Sequence, residues 1–248
     1  MDPILIVKTG TTLASLAGER GDFEDWISAG MGLDRNRVTV IAAYEGEALP
    51  DPKRFAGVVV TGSSAMVSHR EAWSESTAEW LHGAVQSATP VLGICYGHQL
   101  LAHALGGRVG ANPRGRQIGT VRVQLAEKAE DDALLAGFGG SLLAHTTHSE
   151  VVLQLPDGAA RLGSSQGDPN TAFCFGTAAW GVQFHPEFDA YVMKRYIEER
   201  RGLLDAENID ADARLTAVEE CPGGTRLLRR FSELSSGKAG IPSIRANT

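Results

Sequence analysis

The chain has 248 residues, 43% of them hydrophobic, which is enough apolar material for one large α/β domain or two small ones; one domain with a C-terminal extension is the expectation. A net charge of -7 argues against nucleic acid as a partner, because a phosphate backbone calls for a basic face. The three cysteines, Cys95, Cys174 and Cys221, are odd in number and contain no Cys-x-x-Cys, which argues against a disulfide framework or a zinc site and for a reducing cytoplasm. The N-terminus lacks a basic leader, and no apolar run approaches the ~18 residues of a membrane span, so a soluble, unprocessed protein with no membrane partner is expected.

Ile4 to Val7 is a short continuous apolar run closed by Thr9-Gly10, as in a strand buried on both faces of a parallel sheet. Asp22 to Ile27 opens with acidic residues and carries apolar positions at helical spacing, ending near Gly30 and Gly32. Arg37 to Tyr44 returns as a β-branched strand. Gly57 to Val60 is a third buried strand, running into the small-residue loop Thr61-Gly62-Ser63-Ser64. From Glu71 to Ser87, Trp73, Trp80, Leu81 and Val85 recur at helical spacing, and the two tryptophans read as a core stripe. Pro90 to Ile94 is a fourth strand, followed by a helix through Leu105. Alternating strands and helices up to Gly107 predict a doubly wound, mostly parallel sheet whose ligands sit beyond the C-terminal ends of its strands.

After Gly107 the runs shorten and alternate. Gly119 to Leu125, Ser141 to Thr147, Thr171 to Phe175 and Ala179 to Phe184 read as strands of a mixed or antiparallel extension, with a short helix near Asp132 to Leu135. Asp189 to Arg201 is a helix whose Lys194, Arg195, Arg200 and Arg201 interleave with Glu198 and Glu199, the pattern of a solvated face, so no binding role is assigned to it. Two further helices are expected, Asp210 to Glu220 and Thr225 to Leu234, and the polar stretch from Ser235 to Thr248 is expected to fray. Residues 1–202 thus read as the main domain and 203–248 as a helical extension packed on it.

The chemistry centres on Gly93-Ile94-Cys95-Tyr96-Gly97-His98-Gln99. A strand, a sharp turn and a helix would place Cys95 at an elbow, where flanking glycines leave room for a strained backbone. The unpaired N–H groups and dipole of a helix N-terminus favour negative charge there. A cysteine nucleophile needs a base and something to orient it. Trp180-Gly181-Val182-Gln183-Phe184-His185-Pro186-Glu187 supplies both: a strand delivers His185, and in an extended segment His185 and Glu187 project from the same side. His145 and His148 form a His-x-x-His, but a strand splays them to opposite faces and no further ligands cluster nearby, so no metal is expected.

With these two motifs in this order, roughly ninety residues apart, the sequence resembles the class I (triad) glutamine amidotransferases from Ile4 to about Ile197, particularly the amidotransferase domain of GMP synthetase and its stand-alone relatives. The resemblance implies a flavodoxin-like fold, with Cys95 as nucleophile, His185 as general base and acid, and Glu187 as the residue orienting it. It also implies an oxyanion hole from the loop after the third strand and from the residue following the cysteine, here the Ser63 and Tyr96 amides. That loop, Gly62-Ser63-Ser64-Ala65, has less glycine than in most members and lacks their proline. Gln99 resembles the residue that contacts bound glutamine. Thr147-His148-Ser149-Glu150 resembles the Ser-His-Gly-Asp stretch whose backbone binds the α-amino and α-carboxylate groups, with Ser149 in place of glycine. Gly62, Gln99, Thr147, Ser149 and Glu150 are therefore the expected substrate-binding residues, and Arg116 to Gly119 a pocket wall. The implied reaction is cleavage of a γ-glutamyl amide through a cysteine thioester, without a cofactor. Glutamine is the expected substrate, with ammonia passed to a separate synthetase subunit or simply released. A γ-glutamyl peptidase and a non-catalytic binding subunit are the alternatives. No Gly-x-x-x-x-Gly-Lys-[Ser/Thr] phosphate loop is present, so the chain is not expected to aminate a nucleotide itself.

Overall fold

The side chains of the first strand, β1 (Ile4–Lys8), alternate between two cores: Ile4 and Ile6 enter one, Leu5 and Val7 the other. A strand that is apolar at successive positions satisfies itself only with both faces covered, and this one lies inside a nine-stranded sheet. The computed structural model describes residues 2–237. After β1 come α1 (Ala14–Arg20), α2 (Phe23–Met31), β2 (Val38–Ala42), β3 (Gly57–Val60), α3 (Ala72–Gln86), β4 (Val91–Ile94) and α4 (Tyr96–Ala104). The strands β5 (Arg108–Ala111), β6 (Gln117–Leu125), β7 (Ser141–His148), β8 (Glu150–Gln154), β9 (Ala159–Ser164), β10 (Ala172–Phe175) and β11 (Ala179–Val182) follow. The chain then turns helical in α5 (Ala190–Glu199), α6 (Arg201–Ala206), α7 (Ala211–Thr216) and α8 (Pro222–Ser235).

The sheet order is β2-β1-β3-β4-β11-β10-β9-β6-β7, with β5 and β8 forming a separate antiparallel pair. The first five strands are mutually parallel, in the flavodoxin-like order. From β10 to β7 every pairing is antiparallel, which is the expected extension. That extension curls back on itself: the segment just past β11 pairs with β7 through an isolated bridge between His185 and His145, whose carbonyl accepts the His185 N–H at 2.8 Å. One face of the sheet is covered by α2, α5 and α8, the other by α3 and α4. In α8, Leu227, Leu228 and Phe231 are fully buried against α2 and β11; Phe231 meets Trp180 edge-on at 6.3 Å.

The α2 helix begins with a full capping box between Asp22 and Asp25, as its acidic start implied. The tryptophans of α3 behave as packing residues: Trp73 stacks on Tyr96 at 5.6 Å, and Trp80 donates to the Pro50 carbonyl. The short helix expected near Asp132 to Leu135 does not form. Asp132 Oδ1 accepts from the N–H groups of Leu134 and Leu135, both at 2.9 Å, and holds a turn that Gly137, at positive φ, ends. The helix expected over Asp210 to Glu220 stops at Thr216. Of the stretch expected to fray, residues 238–248 lie outside the described residues. No described helix is long and apolar enough to cross a membrane.

Candidate active site

Cys95 sits between β4 and α4 with φ 52° and ψ −100°, a backbone conformation that side chains rarely adopt. The surroundings hold it there. Its N–H donates to the Val182 carbonyl at 2.9 Å, and the Gly97 N–H donates to the Thr61 carbonyl at 3.1 Å. The strain falls on the cysteine itself, whereas the flanking glycines serve close approach. A Cβ on Gly93 would lie 2.4 Å from the Gly97 carbonyl oxygen, and one on Gly97 would lie 2.4 Å from that of Val60. The helix therefore docks onto the strand ends with no room for a methyl group.

His185 reaches the cysteine from the end of β11. Its Nδ1 lies 2.7 Å from Glu187 Oε1, and both side chains are almost wholly buried. This pairing does not arise from an extended segment: Pro186 and Glu187 form a turn, which swings the carboxylate back under the ring. The imidazole stacks on Phe188 at 4.1 Å between centroids, and Phe23 lies to the side, 6.0 Å from the imidazole and 6.2 Å from Phe188. Burial alone would lower the His185 pKa; the Glu187 charge, followed by the Cys95 side chain, overrides it and raises the value to about 10. The neighbouring histidines have no such partner. Burial lowers His148 to about 3, His145 to about 4 and His98 to about 3. Of these four imidazoles, the one beside the thiol is the one whose pKa is raised.

Gly62 lies against both groups: a Cβ there would be 2.9 Å from His185 Cε1 and 3.8 Å from Cys95 Cβ. The loop that carries it is clamped from below, where the Thr9 N–H donates to Thr61 Oγ1 at 3.0 Å and the Thr9 hydroxyl reaches the Thr61 carbonyl at 2.9 Å. Ser63 Oγ accepts from the Ala65 N–H at 3.1 Å, so this hydroxyl shapes the loop. The Ser63 N–H has no acceptor among the described residues. Tyr96 is the first residue of α4, so its N–H has no acceptor within the helix. Both residues line the cleft that opens at Cys95.

That cleft, of about 230 Å³, is also lined by Gln99, Thr147, Ser149 and Glu150. The Thr147 carbonyl is 3.9 Å from Cys95 Sγ. Gln99 Nε2 donates to the Glu150 carbonyl at 2.7 Å and to Gln183 Oε1 at 3.0 Å. Both amide protons are committed, so Oε1, an acceptor, is what Gln99 has left for a ligand. Ser149 Oγ contacts Met66 Sδ at 3.7 Å, and Glu150 Oε2 accepts from the Ser68 N–H at 3.3 Å, tying this stretch to the loop after β3. The structure therefore brings every site residue named from the sequence to the ends of β3, β4, β7 and β11. No group of three or more His, Cys, Asp or Glu that could hold a metal gathers among the described residues.

Two features escaped the sequence reading. Phe188, next after His-Pro-Glu, orders the imidazole by stacking. Arg200 is not part of a solvated face: it packs over the Tyr196 ring at 4.9 Å, donates to Thr147 Oγ1 at 2.6 Å and lines the cleft. The charge run disguised it, although its spacing from the buried Met193, Tyr196 and Ile197 continues their stripe around the helix. Its neighbours Arg195 and Arg201 do pair with acids at the surface.

Comparison with known proteins adds a lineage to this geometry. The profile of the family described as "Glutamine amidotransferase class-I" matches residues 29–201. A GMP synthase (glutamine-hydrolyzing) of Aeropyrum pernix is 38% identical over 160 residues, covering 64% of this chain but only 28% of that protein. Gamma-glutamyl peptidase 5 of Arabidopsis thaliana is 29% identical over 209 residues, 80% of each chain. Among solved structures, a glutamine amidotransferase of Thermotoga maritima superposes with a TM-score of 0.74 at 25% identity, covering 95% of this chain and 98% of its own.

Proposed function

We propose, for a chain that belongs to the class-I glutamine amidotransferase family, the hydrolysis of a γ-glutamyl amide through a thioester on Cys95. The carrying observation is that Glu187 grips His185 Nδ1 at 2.7 Å, which leaves the other ring nitrogen for the neighbouring thiol. Cys95 sulfur attacks the γ-carbonyl, and the new S–C bond drives the carbonyl electrons onto oxygen, which the Ser63 and Tyr96 N–H groups receive. The tetrahedral intermediate collapses, the C–N bond breaks, and His185 gives its proton to the departing amine. Water then attacks the thioester; His185 takes the water proton, and glutamate leaves as the C–S bond breaks. Gln99 Oε1 and the Glu150 region accept from the substrate α-ammonium.

Glutamine is the simplest substrate of this chemistry, and its leaving group is ammonia. A separate synthetase subunit would consume that ammonia, as befits a chain similar to a quarter of a GMP synthase. Residues 1–202 would form the catalytic unit, with the following helices as its extension. A second reading, hydrolysis of γ-glutamyl peptides, is favoured by a space of about 150 Å³ on the His185 side, beyond what ammonia needs. A molecule the size of water takes about 30 Å³. The test is a release assay on glutamine, γ-glutamyl dipeptides and glutathione with wild type and Cys95→Ala. Turnover of at least one substrate that vanishes in Cys95→Ala is expected; equal turnover by both proteins overturns the mechanism.

A further inference from the structure

Two clefts meet at Arg200. The larger contains Cys95, Gln99 and Glu150, and the smaller contains His185, Thr12 and Tyr196. In the reaction above, the group that protonates the leaving amine is His185, so the smaller cleft is the side to which the amine departs. It can hold several heavy atoms, and its charge is one-sided. Among the residues that line it, only His185 and Arg200 can be cationic, and none is acidic.

Arg200 also differs from the other arginine on the larger cleft. Arg116 is gripped by Glu207 through two hydrogen bonds, at 2.8 and 3.0 Å. Arg200 has no carboxylate within ion-pair distance among the described residues. Its one hydrogen bond uses Nη1, on the Thr147 hydroxyl. Nε and Nη2 have no partner among the described residues, and neither is sealed from the clefts. A guanidinium stays charged in a protein, and here only the Tyr196 ring and the Thr147 hydroxyl offset the desolvation of a half-buried one that lacks a carboxylate partner. The planar fork of Nε and Nη2 suits a carboxylate.

We propose that Arg200 is a specificity-determining residue that pairs with a carboxylate on the leaving amine, so that γ-glutamyl amino acids and peptides are preferred over γ-glutamyl amides of neutral amines. This rests on the γ-glutamyl reading of the site. The α-carboxylate of the γ-glutamyl group itself lies on the other side of the scissile bond, with Gln99 and the 147–150 stretch. A substrate pair differing only on the leaving side separates the two.

The experiment compares γ-glutamylglycine with γ-glutamylglycinamide. Wild type should favour the acid in kcat/KM by about 10- to 100-fold, the range of a charge-assisted hydrogen bond. In Arg200→Gln the ratio should fall to near one, and Arg200→Lys should keep part of it. A wild-type ratio near one, or a ratio unchanged in Arg200→Gln, overturns the proposal. A uniform loss on both substrates belongs to the second outcome and would make Arg200 a support for Cys95 or for the α-carboxylate. The same pair is titrated into Cys95→Ala by calorimetry, which reads the ratio as Kd without turnover. A Kd preference for the acid with no Cys95-dependent hydrolysis of either compound would sink the mechanism but keep the pairing; equal Kd values sink the pairing. Should Arg200→Gln fail to fold, the wild-type, Cys95→Ala and Arg200→Lys ratios decide.

Discussion

His185 is the residue whose surroundings decide the chemistry. Burial pushes its pKa down, and the Glu187 carboxylate, assisted by Cys95, pushes it further up, to about 10 from 6.5. The folded protein therefore holds this proton more tightly than the unfolded chain. The resulting stabilisation is fully present below about pH 6.5 and is lost as pH rises through about 10. Glu187→Gln keeps the shape but removes the charge. Its unfolding free energy, measured in urea across pH 6.5 to 10, should fall less steeply than that of wild type. Its kcat should drop by about 10²- to 10⁴-fold, the usual worth of a positioned acid–base group. An unchanged pH slope would mean that Glu187 does not hold the proton on His185. Cys95, His185 and Glu187 were legible in the sequence because their chemistry demands particular residue types beside particular glycine and proline patterns. Arg200 was not, since a charge on a mixed run declares its burial only when the stripe beneath it is counted.

At the scale of elements, the site depends on two helices set down without clearance. The docking of α4 on the ends of β3 and β4 requires Gly97, because a Cβ would meet the Val60 carbonyl oxygen at 2.4 Å. The start of α8 rests on the His-Pro-Glu turn in the same way: a Cβ on Gly224 would lie 2.4 Å from the Pro186 carbonyl oxygen. Gly97→Ala and Gly224→Ala should each cost about 1–3 kcal/mol by overpacking, read as a lowered denaturation midpoint. Folded Gly224→Ala should also lose turnover, since its displaced turn carries Glu187. Full activity in that variant would show that α8 covers the turn without holding it. The apolar runs of β1, β3 and β4 and the periodicity of α3 announced themselves. The strands β5, β8 and β9 did not, and neither did α1. Arg108 to Ala111 has neither an apolar run nor a clean alternation, and it becomes a strand only through its pairing with β8. The helix at Asp132 is begun but not continued: Asp132 caps the N–H groups of Leu134 and Leu135, the Ala136 N–H closes one turn on the Asp132 carbonyl, and Gly137 at positive φ ends it.

Seen as a whole, the molecule joins a parallel half to an antiparallel half, and the cleft at Cys95 is lined from both. Thr147 arrives on β7, at the far end of the sheet order, yet its carbonyl stands 3.9 Å from Cys95 Sγ. What brings it there is the curl that lets His145 bridge to His185. The contact between Cys95 and Thr147 spans 52 residues of chain, and non-local contacts of that kind are slow to form because the intervening loop must first be closed. During refolding from denaturant, helical circular dichroism should therefore return before the rate of Cys95 alkylation by iodoacetamide reaches its native value. Simultaneous recovery would place closure of the curl no later than assembly of the helices. The single bridge between His145 and His185 then acts as a clock: the Thr147–Glu150 wall faces the thiol only when the last strand has been brought round, so an incompletely folded chain carries its cysteine beside an unfinished cleft.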